Sequence, residues 1–297
     1  MIIVETFADV RAASSGRIGL APTMGYLHDG HLALFRSARA ECDTVVASIF
    51  VNPLQFGPND DLDRYPRDVE RDAGLAEREG VDVLFVPSMD EMYPDPPRTE
   101  LRIADLTVHF EGAKRPGHFE GVAIVVAKLL AGCRPGRAYF GRKDAQQLSV
   151  VRRMAADLSF PVEIVPVSTV RESDGLALSS RNKFLGSEDR IAALALSRGL
   201  FAAADAVAAG ERDGATLEAL VADEVGLAAG ARLEYSSLAD AATVQPLAEL
   251  NTDAFLAVAA RVGETRLIDN VAFSVGGDSV TADRGIALEG PSVLEEA

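Results

Sequence analysis

Five short apolar runs, at residues 18–21, 44–51, 81–86, 138–140 and 162–167, punctuate the first part of this 297-residue chain. The third and fifth are rich in Val, Ile and Phe, as strands buried on both faces of a parallel sheet are. Between the runs lie stretches with helical spacing. After His31, the side chains of Leu34, Phe35 and Ala38 share a face; residues 68–79 read as a charged surface helix, 122–130 as a buried helix and 145–158 as an amphipathic one. Strand and helix in alternation admit few folds, because parallel neighbours need a crossover and the crossover helix packs back onto the sheet. The expectation is α/β: a Rossmann-like, doubly wound parallel sheet over residues 1–172.

The texture changes after residue 180. Ser187 is a plausible N-cap, with Glu188 and Asp189 in the first turn of an Ala-rich helix that runs to about Ala209, and Gly210 suits its end. A second helical stretch covers 215–228. Strand-like segments follow at 232–238, 254–261 and 265–273, the last two flanking Val262-Gly263-Glu264, a hairpin signal. These features predict a smaller α+β C-terminal domain over residues 173–275. Residues 276–297 alternate Gly, Ser and acidic residues and read as a loose acidic tail.

A formal net charge of −16 argues against a nucleic-acid-binding face and against docking on an anionic membrane. An anionic substrate would need a few cations gathered against that background. The chain has four lysines, Lys114, Lys128, Lys143 and Lys183, so each is worth placing. Two cysteines, Cys42 and Cys133, form no disulfide framework and point to a reducing compartment. No signal-peptide pattern opens the sequence, and the run 122–130 is too short to span a membrane.

Five polar, glycine-marked segments carry the chemistry. PTMGYLHDGHLALF, residues 22–35, follows a strand and opens a helix near Gly30. Free N–H groups at a helix start suit phosphate. His28 and His31, three apart, point the same way if the turn is helical, and Gly30 removes a side chain where a flat base approaches. A metal pair is the competing reading, but only His109 and His118 remain as histidines, neither in a familiar metal spacing. FVNPLQF, residues 50–56, offers Asn52 and Gln55, two-way hydrogen-bonding groups, or else a plain Asn-Pro turn. KRPGHFEGVAIVVAKL, residues 114–129, leads from a basic loop (Lys114, Arg115, His118) into the buried helix. YFGRKDAQQL, residues 139–148, places Lys143 at another strand end, with Asp144 as a helix cap. VRESDGLALSSRN, residues 170–182, sets Ser179, Ser180 and Arg181 together, a donor group that fits a polyphosphate. Together they converge on a nucleotide-using enzyme with a small polar co-substrate.

The set resembles one family, the pantothenate synthetases or pantoate–β-alanine ligases, which carry PTMGxLHxGH, FVNPxQF, RPGHFxGV, FGxKDxQQL and DGLAxSSRN in this order. The resemblance covers roughly residues 15–272. HxGH alone would indicate only the wider nucleotidyltransferase superfamily. The resemblance implies two steps: the carboxylate of pantoate attacks the α-phosphate of Mg-ATP to give pantoyl adenylate and pyrophosphate, then the amine of β-alanine gives pantothenate and AMP. It implies ATP contacts from Met24, Gly25, Tyr26, Leu27, His28, Asp29, Gly30 and His31, with His31 as proton donor and phosphate stabiliser. It further implies ATP contacts from Gly141, Arg142, Lys143 and Asp144, from Val170 through its backbone, and from Leu178, Ser179, Ser180 and Arg181. His28, Lys143 and Arg181 would join His31 in screening charge, with Mg2+. Gln55 and Gln147 would bind pantoate, Gln55 lying also near β-alanine. No protein-held metal is implied. The family is typically a cytoplasmic homodimer, with no nucleic-acid or membrane partner.

Three positions depart from the pattern: Arg142 stands for Glu, Ala145 for Tyr and Leu178 for Met. Two other readings remain, a different nucleotidyltransferase on the same scaffold and a catalytically weakened nucleotide-binding homologue. Gln55 and Gln147 argue against the first, since a phosphate acceptor would want cations there.

Overall fold

The computed structural model describes residues 1–57, 62–277 and 279–294. It groups into two units: Met1–Gly141 with Val150–Val167, and Arg142–Ser149 with Ser168–Ala297. The expected single boundary at 172/173 is thus replaced by a chain that passes between the units three times.

The first unit holds β1 (Ile2–Val4), β2 (Ile18–Thr23), β3 (Thr44–Ile49), β4 (Val83–Phe85), β5 (Arg137–Gly141) and β6 (Glu163–Val167). They form one sheet in the order β1-β4-β3-β2-β5-β6, parallel at every pairing. All six residues of β3 are buried, as a central strand requires. The helices are α1 (Phe7–Ala13), α2 (Asp29–Glu41), α3 (Val69–Arg78), α4 (Met89–Met92), α5 (Phe110–Lys114) and α6 (His118–Cys133), with α7 (Ala145–Asp157) running from the second unit into the first. The sheet is therefore of the expected Rossmann-like kind. From β2 the chain builds outward through β3 and β4, then returns to lay β5 on the opposite flank. The carboxyl ends of β2 and β5 mark the switch point, where such sheets bind ligands.

The second unit contains β7 (Val170–Arg171), α8 (Ser187–Ala208), α9 (Gly214–Leu227), β8 (Ala231–Asp240), β9 (Ala254–Val262), β10 (Thr265–Gly276), β11 (Ser279–Asp283) and β12 (Ile286–Ala287). An antiparallel sheet, β11-β10-β9-β8, packs its apolar residues with α8 and α9 around Leu196, Leu200, Leu217, Val221, Leu256 and Val258. The expected hairpin turns at Gly263 and Glu264. Gly199 lets the two helices meet closely, since a Cβ there would lie 2.8 Å from Val221 Cα. By length and composition, α8 is apolar enough to cross a membrane. Its face of Ala192, Leu196, Leu200, Ala203 and Val207 is instead buried in this core. Its N-cap is Gly186, one residue before the expected Ser187.

Among residues 276–297, residues 278 and 295–297 lie outside the described ones, and the rest depart from the expectation of a loose tail. β11 pairs antiparallel with β10, and β12 pairs parallel with β7, Ile286 opposite Val170 and Ala287 opposite Arg171. Backbone pairing imposes little demand on side-chain type, so a Gly- and Ser-rich composition hides it.

Candidate active site

In the first unit the chain leaves β2 through a loop held at every step. Thr23 Oγ1 donates to Ser48 O (2.8 Å) and accepts from Gly25 N–H (3.1 Å). Gly25 has φ +83°, and a Cβ there would meet Ile49 Cγ2 at 2.9 Å. Asp72 on α3 takes the next two amides, Tyr26 N–H on Oδ2 and Leu27 N–H on Oδ1, both at 2.7 Å. Leu27 is fully buried and its carbonyl accepts from Arg71 Nη1 at 3.0 Å. Its part is to hold the loop. Burial pushes the Asp72 carboxyl above its usual range, against the pull of the two backbone N–H groups.

At the start of α2 the two histidines form a reciprocal cap. His28 Nδ1 accepts from Gly30 N–H (3.1 Å), and His28 N–H donates to His31 Nδ1 (3.2 Å). The rings stack with centroids 4.0 Å apart. An Nδ1 that accepts carries no proton, so each neutral ring is the Nε2–H tautomer. The pair therefore carries two Nε2–H groups at a helix N-terminus, at the switch point of the sheet. The space freed by Gly30 is filled first by His28, whose Cε1 and Nδ1 lie 2.9 Å from where a Cβ would be. A side chain at this position would therefore displace the His28 imidazole. Asp29 is buried within the first turn.

FVNPLQF and RPGHFEGV, separate in sequence, meet. Pro53–Gln55 is a 3-10 turn capped by Asn52, whose Nδ2 donates to Gln55 Oε1 and to Gly121 O, both at 3.1 Å. Tyr93 O–H donates to Asn52 Oδ1 at 3.0 Å, and burial pushes the Tyr93 hydroxyl up to about 12, so it stays a donor. Arg115 has only donors, so its 3.1 Å contact makes His118 Nε2 the acceptor and leaves His118 Nδ1–H to donate to Gln55 O at 2.8 Å. Gly121 brings α6 against the turn: a Cβ there would lie 2.2 Å from Leu54 O. The buried Gln55 amide offers its nitrogen to Met24 Sδ at 3.1 Å, a weak acceptor that a polar substrate outcompetes.

In the second unit, Arg142–Asp144 forms a 3-10 turn directly after β5, and Asp144 closes it ahead of α7. Asn270 on β10 is buried and donates from Nδ2 to both Arg142 O (2.9 Å) and Lys143 O (2.7 Å). Arg142 Nε lies 3.2 Å from Asp283 Oδ2, so the unexpected cation beside Lys143 is neutralised by β11. Among the described residues, Lys143 has no carboxylate partner. Gln147 is half-buried on the first turn of α7. Val170 O accepts from Leu178 N–H at 2.9 Å, which ties the fifth motif to β7. Ser179 caps the 3-10 segment Ser180–Phe184, accepting from Arg181 N–H, while the Arg181 side chain is exposed. Asn182 anchors that segment by donating to Glu172 Oε1 (2.7 Å) and Ala177 O (3.1 Å).

Thus Met24 through His31, Gln55 and Gly141 fall in the first unit, and Arg142 through Asp144, Gln147, Val170 and Leu178 through Arg181 in the second. The family model for pantoate-beta-alanine ligase matches residues 2–272. The chain belongs to the pantoate–β-alanine ligase family. It is 55% identical over 271 residues to pantothenate synthetase 1 of Bradyrhizobium diazoefficiens, covering 91% of this chain and 95% of that one. A crystal structure of pantothenate synthetase from Thermus thermophilus matches with a TM-score of 0.86 at 50% identity, over 91% of this chain and 98% of that one. A pantoate-beta-alanine ligase from Francisella tularensis, complexed with beta-gamma ATP and beta-alanine, matches with a TM-score of 0.72 at 34% identity, over 94% of this chain and all of that one.

In this ligase the supporting residues are those that a reading of the sequence passes over. Asp72 lies in the expected charged surface helix, yet it shares a buried face with Leu75 and Ala76, at spacings of three and four. That spacing is the available signal. Asn270 and Arg171 have none. Arg171 is buried, donates to Asp269 Oδ2 and Oδ1 (2.6 and 3.0 Å) and reaches Asn270 O (3.2 Å) from 98 and 99 residues away.

Proposed function

We propose that this chain makes pantothenate from pantoate, β-alanine and ATP through a pantoyl-adenylate intermediate, releasing pyrophosphate and AMP. The observation that carries the residue assignment is the reciprocal cap of His28 and His31, which fixes two Nε2–H donors at the start of α2. Adenylation brings a carboxylate against a triphosphate, so the site must screen negative charge where it develops. His31 donates to the α-phosphate oxygens and His28 supports it, with Lys143 and Arg181 on the phosphates. Met24 through His31 and Gly141 through Asp144 form the ATP contacts, Val170 meets adenine by its backbone, and Leu178 through Arg181 close on phosphate.

Gln55 and Gln147 hold pantoate by neutral hydrogen bonds. The Gln55 carbonyl is locked by His118, which fixes the side chain that greets pantoate and, after adenylation, β-alanine. Magnesium would arrive on the triphosphate as an ion that keeps its waters and phosphate oxygens. When bound it supplies further charge neutralisation. A cytoplasmic homodimer is part of the same proposal, supported by two free, buried cysteines for the compartment and by the family resemblance for the dimer.

The deciding experiment is AMP release with each substrate omitted in turn, together with ATP–pyrophosphate exchange. Exchange that requires pantoate, and AMP release that requires β-alanine as well, is expected. Exchange that proceeds without pantoate, or none with it, refutes the proposal.

A further inference from the structure

The family match ends at residue 272, yet the described chain continues to 294 and does not hang free. Besides pairing with β10, it reaches two short stretches of the proposed ATP-binding segments. Asp283 is a three-way acceptor: Oδ2 takes Arg142 Nε at 3.2 Å and Ser168 Oγ at 2.8 Å, and Oδ1 takes Gly285 N–H at 2.9 Å. Arg284 O accepts from Arg171 Nε at 2.5 Å. Ile286 N–H donates to Thr169 O (2.8 Å) and Leu288 N–H to Arg171 O (2.9 Å). Gly285 makes this approach possible: it has φ +92°, and a Cβ there would lie 2.3 Å from Thr169 O. Residues 283–288 thereby join the Arg142–Asp144 turn to β7, the segment of Val170. They attach from outside the residues that define the family.

We propose that residues 283–288 are a strap that positions the ATP-binding segments, with Asp283 as a positioning residue acting through Arg142. The inference rests on the proposed ATP roles of Lys143 and Val170. Two adjacent cations on one turn repel each other, so an unheld Arg142 lets the turn that carries Lys143 shift. Asp283 draws the Arg142 guanidinium onto β11 and so fixes that turn. Asn270 holds the backbone of that turn, so Asp283 governs the side-chain charge and the register against β7. The pair is half-buried, with side chains 29% and 28% exposed, so its coupling is modest.

The test uses pantoate-dependent ATP–pyrophosphate exchange on the full chain. Asp283→Asn keeps an acceptor for Gly285 and removes the ion pair. It is expected to raise KM for ATP about two- to fivefold, the range of a partly exposed pair, while KM for pantoate and Tm stay at wild-type values. Arg142→Ala should do the same, and the double variant should be no worse than either single one, because the two residues act as one unit. Gly285→Val, which pushes the strap off Thr169, should raise KM for ATP at least as far. Unchanged KM for ATP in both Asp283→Asn and Gly285→Val, additive effects in the double variant, or a rise in both KM values together overturns the proposal. Lys143→Ala separates the two levels. If it leaves exchange intact, the ATP-site reading falls and the strap proposal with it. If it abolishes exchange while the strap variants are silent, only the strap proposal falls.

Discussion

Gly121→Ala tests whether the approach of α6 to the Asn52–Gln55 turn sets the substrate side of the site. The new Cβ would lie 2.2 Å from Leu54 O, 2.4 Å from Leu54 C and 2.6 Å from Gln55 N. A carbon–oxygen contact needs about 3.3 Å, so helix and turn must part by about 1 Å. All three clashing atoms are backbone, so no rotamer change relieves them. A shift of about 1 Å also stretches the Asn52 Nδ2 to Gly121 O bond from 3.1 Å beyond hydrogen-bonding range. Overpacking of this kind costs about 1–3 kcal/mol of stability. A displacement of about 1 Å at a reacting group lowers rate by about 100-fold. The expected outcome is a fall of about 100-fold in kcat/KM for pantoate in the AMP-release assay, with a folded protein by circular dichroism and a much smaller change in KM for ATP. Wild-type kcat/KM for pantoate in a folded Gly121→Ala protein would refute the reasoning, since the turn would then have moved without consequence for Gln55.

Other perturbations probe the rest. His31→Ala and Lys143→Ala should each slow ATP–pyrophosphate exchange by about 100-fold or more, the effect of losing one charge-stabilising donor; a near-normal rate in either removes its assigned role. Asp72→Asn should raise KM for ATP, since its amide nitrogen faces a backbone N–H where the carboxylate accepted two. The folded-state carboxyl of Asp72 lies above its unfolded value, so its ionisation costs stability at neutral pH and that cost is relieved as pH falls through the raised value. Acid should therefore weaken ATP binding through the loop without global unfolding, and the acid limb of KM for ATP should flatten in Asp72→Asn. Arg171→Met should destabilise the protein by about 3–5 kcal/mol in urea, because it leaves the buried Asp269 carboxylate unpaired; replacing both residues with apolar ones should recover most of that loss.

Strand and helix periodicity makes the parallel sheet legible, because β2, β3 and β4 bury apolar runs between amphipathic helices. β1 gives no such signal: three residues, two of them exposed, carry too little pattern. The site is legible where its residues are contiguous, as in HDGH and in RKD. It is opaque where a residue acts across the fold. Asp72 binds a loop 45 and 46 positions away, and Asn270 binds a turn 127 and 128 positions away. No local spacing encodes such partners.

The interleaving of the two units has a consequence for how the chain is made. Ser168 and Asp283 are 115 residues apart, and at about 5–20 residues per second a ribosome needs roughly 6–23 s to travel between them. Through that interval the parallel sheet can complete its last strand, β6, while Arg142 still lacks its counter-ion and β7 lacks β12. The HDGH turn is thus an early product of synthesis and the Lys143 turn a late one. A nascent chain acquires its histidine donors well before the segments expected to grip ATP are set.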